Sequence, residues 1–223
     1  MSPRKLSAET TFVDFESEIM FTTAALTADP DARPLLGDTA DWLGWVTAAQ
    51  KEDGVFRQQE AIVEATRVIA NGRLDQSCID FGKRLLGACN QDRQSPRFTR
   101  FFAKPPAAFV KQALSKQVTA VFGWLSVTDD DVLEAFRVEL DDRAKAVRAA
   151  EDATSAIGPL RGANQARRAK LADDLTRERD GLHRQLADIA DTKNLGRTWA
   201  DLFFKKTRRA DDDESPTPEP TPT

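Results

Sequence analysis

Few residues in this sequence are suited to acid–base, nucleophilic or metal chemistry. His183 is the single histidine among the 223 residues, so a Ser-His-Asp triad, a Cys-His dyad or a multi-histidine metal site would have to include it. It stands between Leu182 and Arg184, beside the apolar positions of a helical pattern. That setting is typical of a histidine that flanks a core or faces solvent. We therefore predict no catalytic residue and no metal site.

The two cysteines, Cys78 and Cys89, fit a structural role. Eleven residues on one helix span about 16 Å, whereas a disulfide needs Cα atoms within roughly 7 Å. Both lie on an apolar stripe, which favours buried, reduced thiols. The sequence has no glycine-rich phosphate loop, and its aspartate clusters lack the glycine and spacing of a calcium loop. These patterns predict a protein that is not an enzyme and that uses no cofactor or small-molecule substrate.

Residues 93–116 combine basic and aromatic side chains and allow two interpretations. Basic groups neutralise phosphates and aromatic rings stack on bases, so the segment could bind single-stranded nucleic acid. Alternatively, the phenylalanines fill the core while the basic side chains stay solvated, and the nearby prolines and close spacing favour this second interpretation. The candidate nucleic-acid contacts are Arg93, Arg97, Phe98, Arg100, Phe101 and Lys104.

Trp199 and Phe203, in the segment 195–209, are the second group of candidate binding residues. Basic residues follow them, which suits an anionic membrane surface, but Asp211–Glu214 immediately oppose that charge. We therefore consider a membrane partner unlikely, and expect Trp199 and Phe203 to cap a helical bundle or anchor a protein partner.

Composition narrows the class of protein. Hydrophobic residues make up 40% of the chain, which is enough to form a core. The net charge is −4, which is too balanced for a protein that binds nucleic acid along the whole chain. No stretch approaches the roughly 20 apolar residues of a membrane span. The first residues lead into no apolar run, so we expect no secretory signal and a cytoplasmic protein.

Helical periodicity extends through most of the chain and no strand pattern is evident. The apolar spacing predicts a first helix that is capped near Ser7 and ends at Asp29-Pro30. A second helix should run from Asp38 to a stop at Asn71-Gly72. The remaining N-terminal elements are a third helix over 74–89, a connector over 90–105 and a fourth helix from Pro106 to about 125.

The C-terminal half predicts a long helical hairpin. Asp129–Asp131 should cap a helix that runs to Ile157, and Gly158-Pro159 should stop it and start a second helix to Lys193. Folding the chain there places the two apolar stripes face to face, as in an antiparallel coiled coil. The expected seam consists of Leu133, Phe136, Leu140, Val147, Leu171, Leu175, Leu182, Leu186 and Ile189.

Together these patterns predict an all-α fold, an elongated bundle of amphipathic helices. We expect about four helices over 8–126, the hairpin with a short terminal helix over 129–206, and a disordered acidic and proline-rich tail over 207–223. A thin hairpin buries little area by itself, which suggests pairing with other subunits. The leading hypothesis is a non-enzymatic structural or interaction protein that pairs with itself or with another helical protein through coiled coils. Nucleic-acid binding through 93–116 is the alternative.

Overall fold

All regular structure in the described part of the chain is helical. The computed structural model describes residues 3–205, which form six α-helices and two 3₁₀ segments. The α-helices are α1 (Phe12–Ala28), α2 (Trp42–Ala88), α3 (Pro96–Thr99), α4 (Pro106–Phe109), α5 (Leu114–Leu125) and α6 (Asp131–Thr192), and the 3₁₀ segments are Arg33–Thr39 and Ala200–Phe203. The predicted all-α class is thus confirmed. The predicted disordered tail at 207–223 lies outside the described residues.

The chain divides into two compact units. Unit 1 comprises Met1–Gly54 and Ala163–Thr223, and unit 2 comprises Val55–Gly162. Each unit therefore takes residues from both sides of the boundary expected near residue 127. The physical reason is that α2 and α6 are both long enough to contribute one segment to each unit.

Helix α1 begins later than Ser7. The Thr11 hydroxyl accepts the N–H of Asp14 at 3.1 Å and donates to the Asp14 carboxylate at 2.8 Å, so Thr11 is the N-cap. The helix ends at Ala28, as the sequence indicated. Asp29 then accepts the N–H groups of Asp31 and Ala32. These bonds turn the chain into the first 3₁₀ segment.

Helix α2 does not stop at Asn71-Gly72, and that prediction is wrong. It also starts at Trp42, after the 3₁₀ segment, instead of Asp38, and it absorbs the predicted third helix. The buried positions Ala70, Leu74, Cys78, Phe81 and Leu85 follow one another at helical spacing. Because this stripe continues across Gly72 without a change of phase, its burial outweighs the roughly 1 kcal/mol cost of a glycine inside a helix.

Helix α6 likewise continues through Gly158-Pro159, so the predicted hairpin is wrong. Pro159 lies inside a helix of 62 residues. Proline removes one backbone hydrogen bond and costs about 3 kcal/mol inside a helix, but the buried stripe extends on both sides of it, through Ala150, Ile157 and Asn164. Seam residues before and after Gly158 belong to one helix and cannot face one another across a turn.

The actual partner of α6 is α2, and the two helices run antiparallel within each unit. In unit 2, Ser77 donates a hydrogen bond to Glu139 at 2.7 Å, and Arg161 pairs with Glu60. In unit 1, the Asn164 amide donates to the buried Asp53 carboxylate at 2.8 Å, and Arg167 pairs with Glu52 at 3.3 Å. Within each unit, then, later residues of α6 meet earlier residues of α2, which defines an antiparallel pair.

Short elements of the connector close the core of unit 2. Helix α3 interrupts the connector predicted over 90–105, and the helix predicted from Pro106 is divided into α4 and α5. The left-handed residues Asn90 and Gln91 end α2 before this stretch. The aromatic core that results contains Phe81, Phe98, Phe101, Phe102, Phe109 and Trp124.

Unit 1 has its own core, built by α1, the two 3₁₀ segments and the parts of α2 and α6 that belong to it. Buried members include Phe15, Trp42, Leu175, Leu186 and Phe203. The left-handed residue Asn194 ends α6, and the Leu195 N–H bonds back to the Ala190 carbonyl at 2.8 Å. This turn directs the chain into the second 3₁₀ segment, where a short terminal helix was predicted.

Candidate interaction surface

The residues expected to form a hairpin seam serve two separate cores. Their burial is as expected: seven of the nine are buried, and Phe136 and Ile189 are partly buried. Leu133, Leu140 and Val147 belong to the core of unit 2, whereas Leu171 and Leu182 belong to that of unit 1. The structure therefore does not bring the two groups together, and the seven buried side chains are packed in the cores of their own units.

The candidate nucleic-acid contacts also separate into two groups. Phe98 and Phe101 are 2% and 4% exposed. Phe98 stacks on Phe102, and Phe101 packs edge-on to Phe81. Buried rings cannot stack on bases, so the phenylalanines have the core role that the sequence left as its second interpretation. Arg93 and Lys104 are exposed.

Arg97 and Arg100 are paired with the aspartates that precede α6. Arg97 Nε lies 2.8 Å from the buried carboxylate of Asp130 and also contacts Asp131, while Arg100 lies 2.9 Å from Asp129. The hydrogen bond from Arg97 lowers the pKa of Asp130 and, against the opposing effect of burial, keeps that carboxylate ionised. The positive charge available to a phosphate is correspondingly reduced.

Trp199 and Phe203 cover the core of unit 1. Phe203 is buried and Trp199 is partly buried. Their rings pack edge-on at 4.8 Å, and the Trp199 indole N–H donates to Asp29 at 3.1 Å. Trp199 and Phe203 thus cap the core of unit 1, which is one of the two roles expected for them. The neighbouring Leu202 is 57% exposed.

The lone histidine and the cysteines have structural surroundings. His183 Nε2 lies 2.9 Å from Asp201, and its ring packs near Phe204. Cys78 is fully buried, and burial, with a smaller contribution from the charge of Asp75, raises its pKa to about 12. Such a thiol is protonated at neutral pH and a poor nucleophile. Among residues 3–205, no three acidic, histidine or cysteine side chains form a group that could hold a metal ion.

The clearest candidate for a binding surface lies on α2 within unit 2. Val55, Ile62, Val68 and Ile69 are each between 54% and 61% exposed. Residues seven apart on a helix differ by only about 20° around its axis, so Val55, Ile62 and Ile69 form one continuous stripe. We call this stripe and the exposed uncharged residues around it the α2 outer face; its members are Val55, Gln58, Gln59, Ala61, Ile62, Ala65, Thr66, Val68, Ile69 and Gly72.

Charged residues border the α2 outer face but do not interrupt its central stripe. Arg57 and Glu64 are the exposed charged residues between positions 55 and 72. At 100° per residue, both fall on the opposite side of the helix from Ile62 but border Val68, and Glu64 is paired with Arg67 at 2.7 Å. The exposed Lys51 and Arg73 lie one turn beyond the two ends of the stripe. The hydroxyl of Thr66 already donates to the Ile62 carbonyl at 2.8 Å. This face therefore offers mainly apolar surface, with little polar surface that would resist burial.

The α2 outer face occurs where unit 2 is thinnest. The core formed by α3, α4 and α5 involves α2 only from Ala70 onward and α6 only up to Ala150. Over residues 57–69 of α2 no side chain is buried, and over 151–162 of α6 only Ile157 is. Two helices alone cannot cover their apolar residues on all sides, so the four aliphatic side chains of this segment stay exposed.

No protein-family model, no curated protein and no solved structure matches this chain. The sequence did not reveal the α2 outer face, because periodicity alone does not separate the exposed Ile62 and Ile69 from the buried Trp42 and Phe56 of the same helix. A signal was present: Val55, Ile62 and Ile69 recur at intervals of seven, and no charged residue stands between them on that side of the helix. No helix within residues 3–205 has both the length and the apolarity needed to cross a bilayer.

Proposed function

We propose that this protein is a non-enzymatic helical interaction protein, whose function depends on pairing its helices with those of another chain. The observation that carries the proposal is the α2 outer face, where four β-branched apolar side chains are more than half exposed and no charged residue interrupts the stripe of Val55, Ile62 and Ile69. Solvated helix surfaces are normally rich in charged residues, and a contiguous apolar patch marks a contact surface. A partner that covers this face would supply the third and fourth helices that the segment lacks.

The chemistry of the remaining surface supports a binding role over a catalytic one. His183 contacts Asp201 and Phe204, and Cys78 is a buried thiol with a raised pKa. The aspartates beside α3 are engaged by Arg97 and Arg100. None of these groups combines an accessible nucleophile with a neighbouring base, the arrangement that acyl or phosphoryl transfer needs.

Nucleic-acid binding through 93–116 receives less support. It would require Phe98 and Phe101 to leave the core of unit 2, and Arg97 and Arg100 to exchange their aspartate partners for phosphates. Burial of those two rings stabilises the fold by several kcal/mol. We therefore retain helix pairing as the proposed function.

Photo-crosslinking tests the proposal. Benzoylphenylalanine replaces Ile62 on the α2 outer face in one variant and Val138, which is 74% exposed on α6, in a matched control. The cells that naturally make the protein are irradiated and adducts are separated by mass. We expect discrete protein adducts from position 62 and none from position 138. No adducts from position 62, or the same adducts from both positions, would refute the proposed function.

A further inference from the structure

We propose that the basic residues 206–209 of this chain bind in cis to an exposed face of α1, through the charges of Asp14 and Glu16. These residues follow directly after Lys205, where the described part of the chain ends. The surface belongs to unit 1, whereas the α2 outer face belongs to unit 2. The proposal therefore goes beyond the proposed function and does not depend on it.

One side of α1 carries exposed apolar side chains around Ser17. Val13, Met20 and Phe21 are 70%, 64% and 42% exposed. At 100° per residue, all three lie within about 60° of Ser17 around the helix axis, whereas the buried Phe15 lies on the opposite side. We call this side the α1 outer face; its members are Val13, Asp14, Ser17, Met20, Phe21 and Ala24.

The described part of the chain ends beside the middle of the α1 outer face. The Lys205 ammonium donates a hydrogen bond to the Ser17 hydroxyl at 2.7 Å. Phe203 and Phe204, which precede it, are buried in the core of unit 1, so packing holds the backbone that leads to Lys205. The face is about 16 Å long, a distance that about five extended residues span. Residues 206–209 therefore start within reach of this face.

The charges of the two segments are complementary. Helix α1 contains Asp14, Glu16 and Glu18 and has no basic residue. Glu18 is buried and paired with Arg179, whereas Asp14 is exposed and Glu16 is half-buried. Three of the four residues 206–209 are basic. Two carboxylates on α1 are thus available to three positive charges, and several charges that act together stabilise a contact more than an isolated surface pair does.

Basic side chains also suit the apolar part of the α1 outer face. Lysine and arginine have aliphatic stems that cover apolar surface while their charged ends stay at its edge. Stems from residues 206–209 cover Val13 and Met20 in this arrangement, and a guanidinium can stack on the exposed ring of Phe21. A basic segment without large apolar residues of its own is therefore a fitting occupant.

Covalent attachment favours this segment over a separate partner. Lys205 holds residues 206–209 beside the face, at an effective concentration on the order of millimolar. A separate chain with the same chemistry also loses translational and rotational freedom when it binds, a cost that an attached segment has already met. The same weak charge pairs are therefore populated in cis when they would not be in trans.

Backbone relaxation of the full chain, measured by NMR, tests the proposal. The heteronuclear NOE of each amide reports motion on the picosecond-to-nanosecond timescale. We expect the amides of residues 206–209 to give values close to those of α1. Values as low as those of an unfolded peptide would overturn the proposal.

Two substitutions at Ser17 form a matched pair of opposite charge. Ser17→Lys and Ser17→Glu both remove the hydroxyl that Lys205 contacts, and both introduce a long side chain at the centre of the face. We expect Ser17→Lys to lower the NOE of residues 206–209 to the level of an unfolded peptide, and Ser17→Glu to preserve it. The same result for both variants would refute binding through charge, and would point to pairing of residues 206–209 with the acidic residues 211–214 instead.

Trypsin measures the same contact as a rate. Cleavage after Arg208 and Arg209 requires these residues to leave the face, so we expect it to be at least about 10-fold faster in Ser17→Lys than in Ser17→Glu. Equal rates would contradict the proposal. The helical circular dichroism of both variants should match that of the natural protein.

Added salt provides a measurement that needs no variant. At about 1 M salt the screening length falls to about 3 Å, and the NOE of residues 206–209 in the natural protein should fall while that of α1 stays unchanged. An NOE at 206–209 that stays high in this salt would contradict binding through charge.

Light scattering identifies a different occupant of the face. A low NOE at residues 206–209, together with twice the chain mass that Met20→Glu returns to the monomer, would assign the α1 outer face to a second copy and refute the proposal. Crosslinking from position 62 on α2 tests the other unit. Failure here therefore leaves the proposed function standing, and failure of that crosslinking leaves this proposal standing.

Discussion

The guanidinium of Arg179 lies 2.8 Å from the carboxylate of Glu18 in the core of unit 1, with 1% and 5% of the two side chains exposed. Arg179 also donates to the Arg4 carbonyl at 2.9 Å and faces the ring of Phe204. A single side chain thus connects α6 to α1, to the N-terminal segment and to the residue after the second 3₁₀ segment. Burial lowers the pKa of Arg179, and the nearby charge of Glu18 opposes that shift.

Breaking this pair should destabilise the protein strongly. Arg179→Met leaves the Glu18 carboxylate in the core without its main partner, and we expect a loss of about 3–5 kcal/mol in the free energy of unfolding. Glu18→Leu should cost a similar amount. The double variant should lose clearly less than the sum of the two, because no uncompensated charge remains. Urea denaturation measures all three; additive losses would contradict the coupling.

Stability should fall in acid partly through Asp130. Its pKa is lowered by the hydrogen bond from Arg97, and its carboxylate also accepts the Leu133 N–H at 2.9 Å as the cap of α6. A lowered pKa means that the stabilisation is complete above the unfolded value of about 3.9 and is lost as the pH falls through the folded value. Asp130→Asn should cost about 1.5–3 kcal/mol at pH 7.

Denaturation at pH 7 and pH 3 checks this prediction. The difference between natural protein and Asp130→Asn should shrink at pH 3, which lies below the unfolded pKa of about 3.9, because the carboxyl of the unfolded chain is then protonated. Asp129→Asn is the matched control, since Asp129 pairs with Arg100 but is 70% exposed, and exposed pairs contribute little. A pH-independent effect at position 130 would refute the assignment.

Cys78 should be inert to thiol reagents in the folded protein. Its pKa of about 12, raised mainly by burial, leaves almost no thiolate at pH 8. We expect Ellman's reagent to modify Cys78 no faster than the protein opens, and to react fully in urea. Mass spectrometry of the modified peptides distinguishes it from Cys89, which is 9% exposed. Rapid labelling of Cys78 at pH 8 without denaturant would contradict its position in the core.

Gly82 is required by the close approach of α4 to α2. A Cβ atom at this position would lie 3.0 Å from Pro106 Cβ, closer still to Pro106 Cγ, and 3.2 Å from the Phe102 ring. Gly82→Ala should therefore destabilise the protein by about 1–3 kcal/mol. At Gly87, in the same helix, a Cβ meets nothing within 4 Å, so Gly87→Ala should be neutral or stabilise by up to about 1 kcal/mol. Thermal melts that rank the two variants in the opposite order would refute this packing.

Periodicity and composition were sufficient to predict the helical class. The apolar residues of α6, among them Leu140, Val147, Leu175 and Leu182, are buried as the heptad pattern indicated. The core role of the phenylalanines near residue 100 was also one of the two interpretations considered. These features depend on which side chains share a helix face, which is local information that the order of residues contains.

Where the helices end, and what their stripes face, depended on tertiary structure. Gly72 in α2 and Gly158-Pro159 in α6 are local stop signals that cost a helix up to a few kcal/mol. Burial of apolar side chains on both sides of each position outweighs that cost. For the same reason the partner of α6 is α2, far away in sequence, and the stripe through Ile62 is exposed although it resembles a core stripe. Sequence alone determined which residues are apolar and helical. Only the packing of α2 on α6 decided which of these residues stay exposed. In a segment of two helices, α2 buries the side that contacts α6 and leaves the side with Ile62 uncovered.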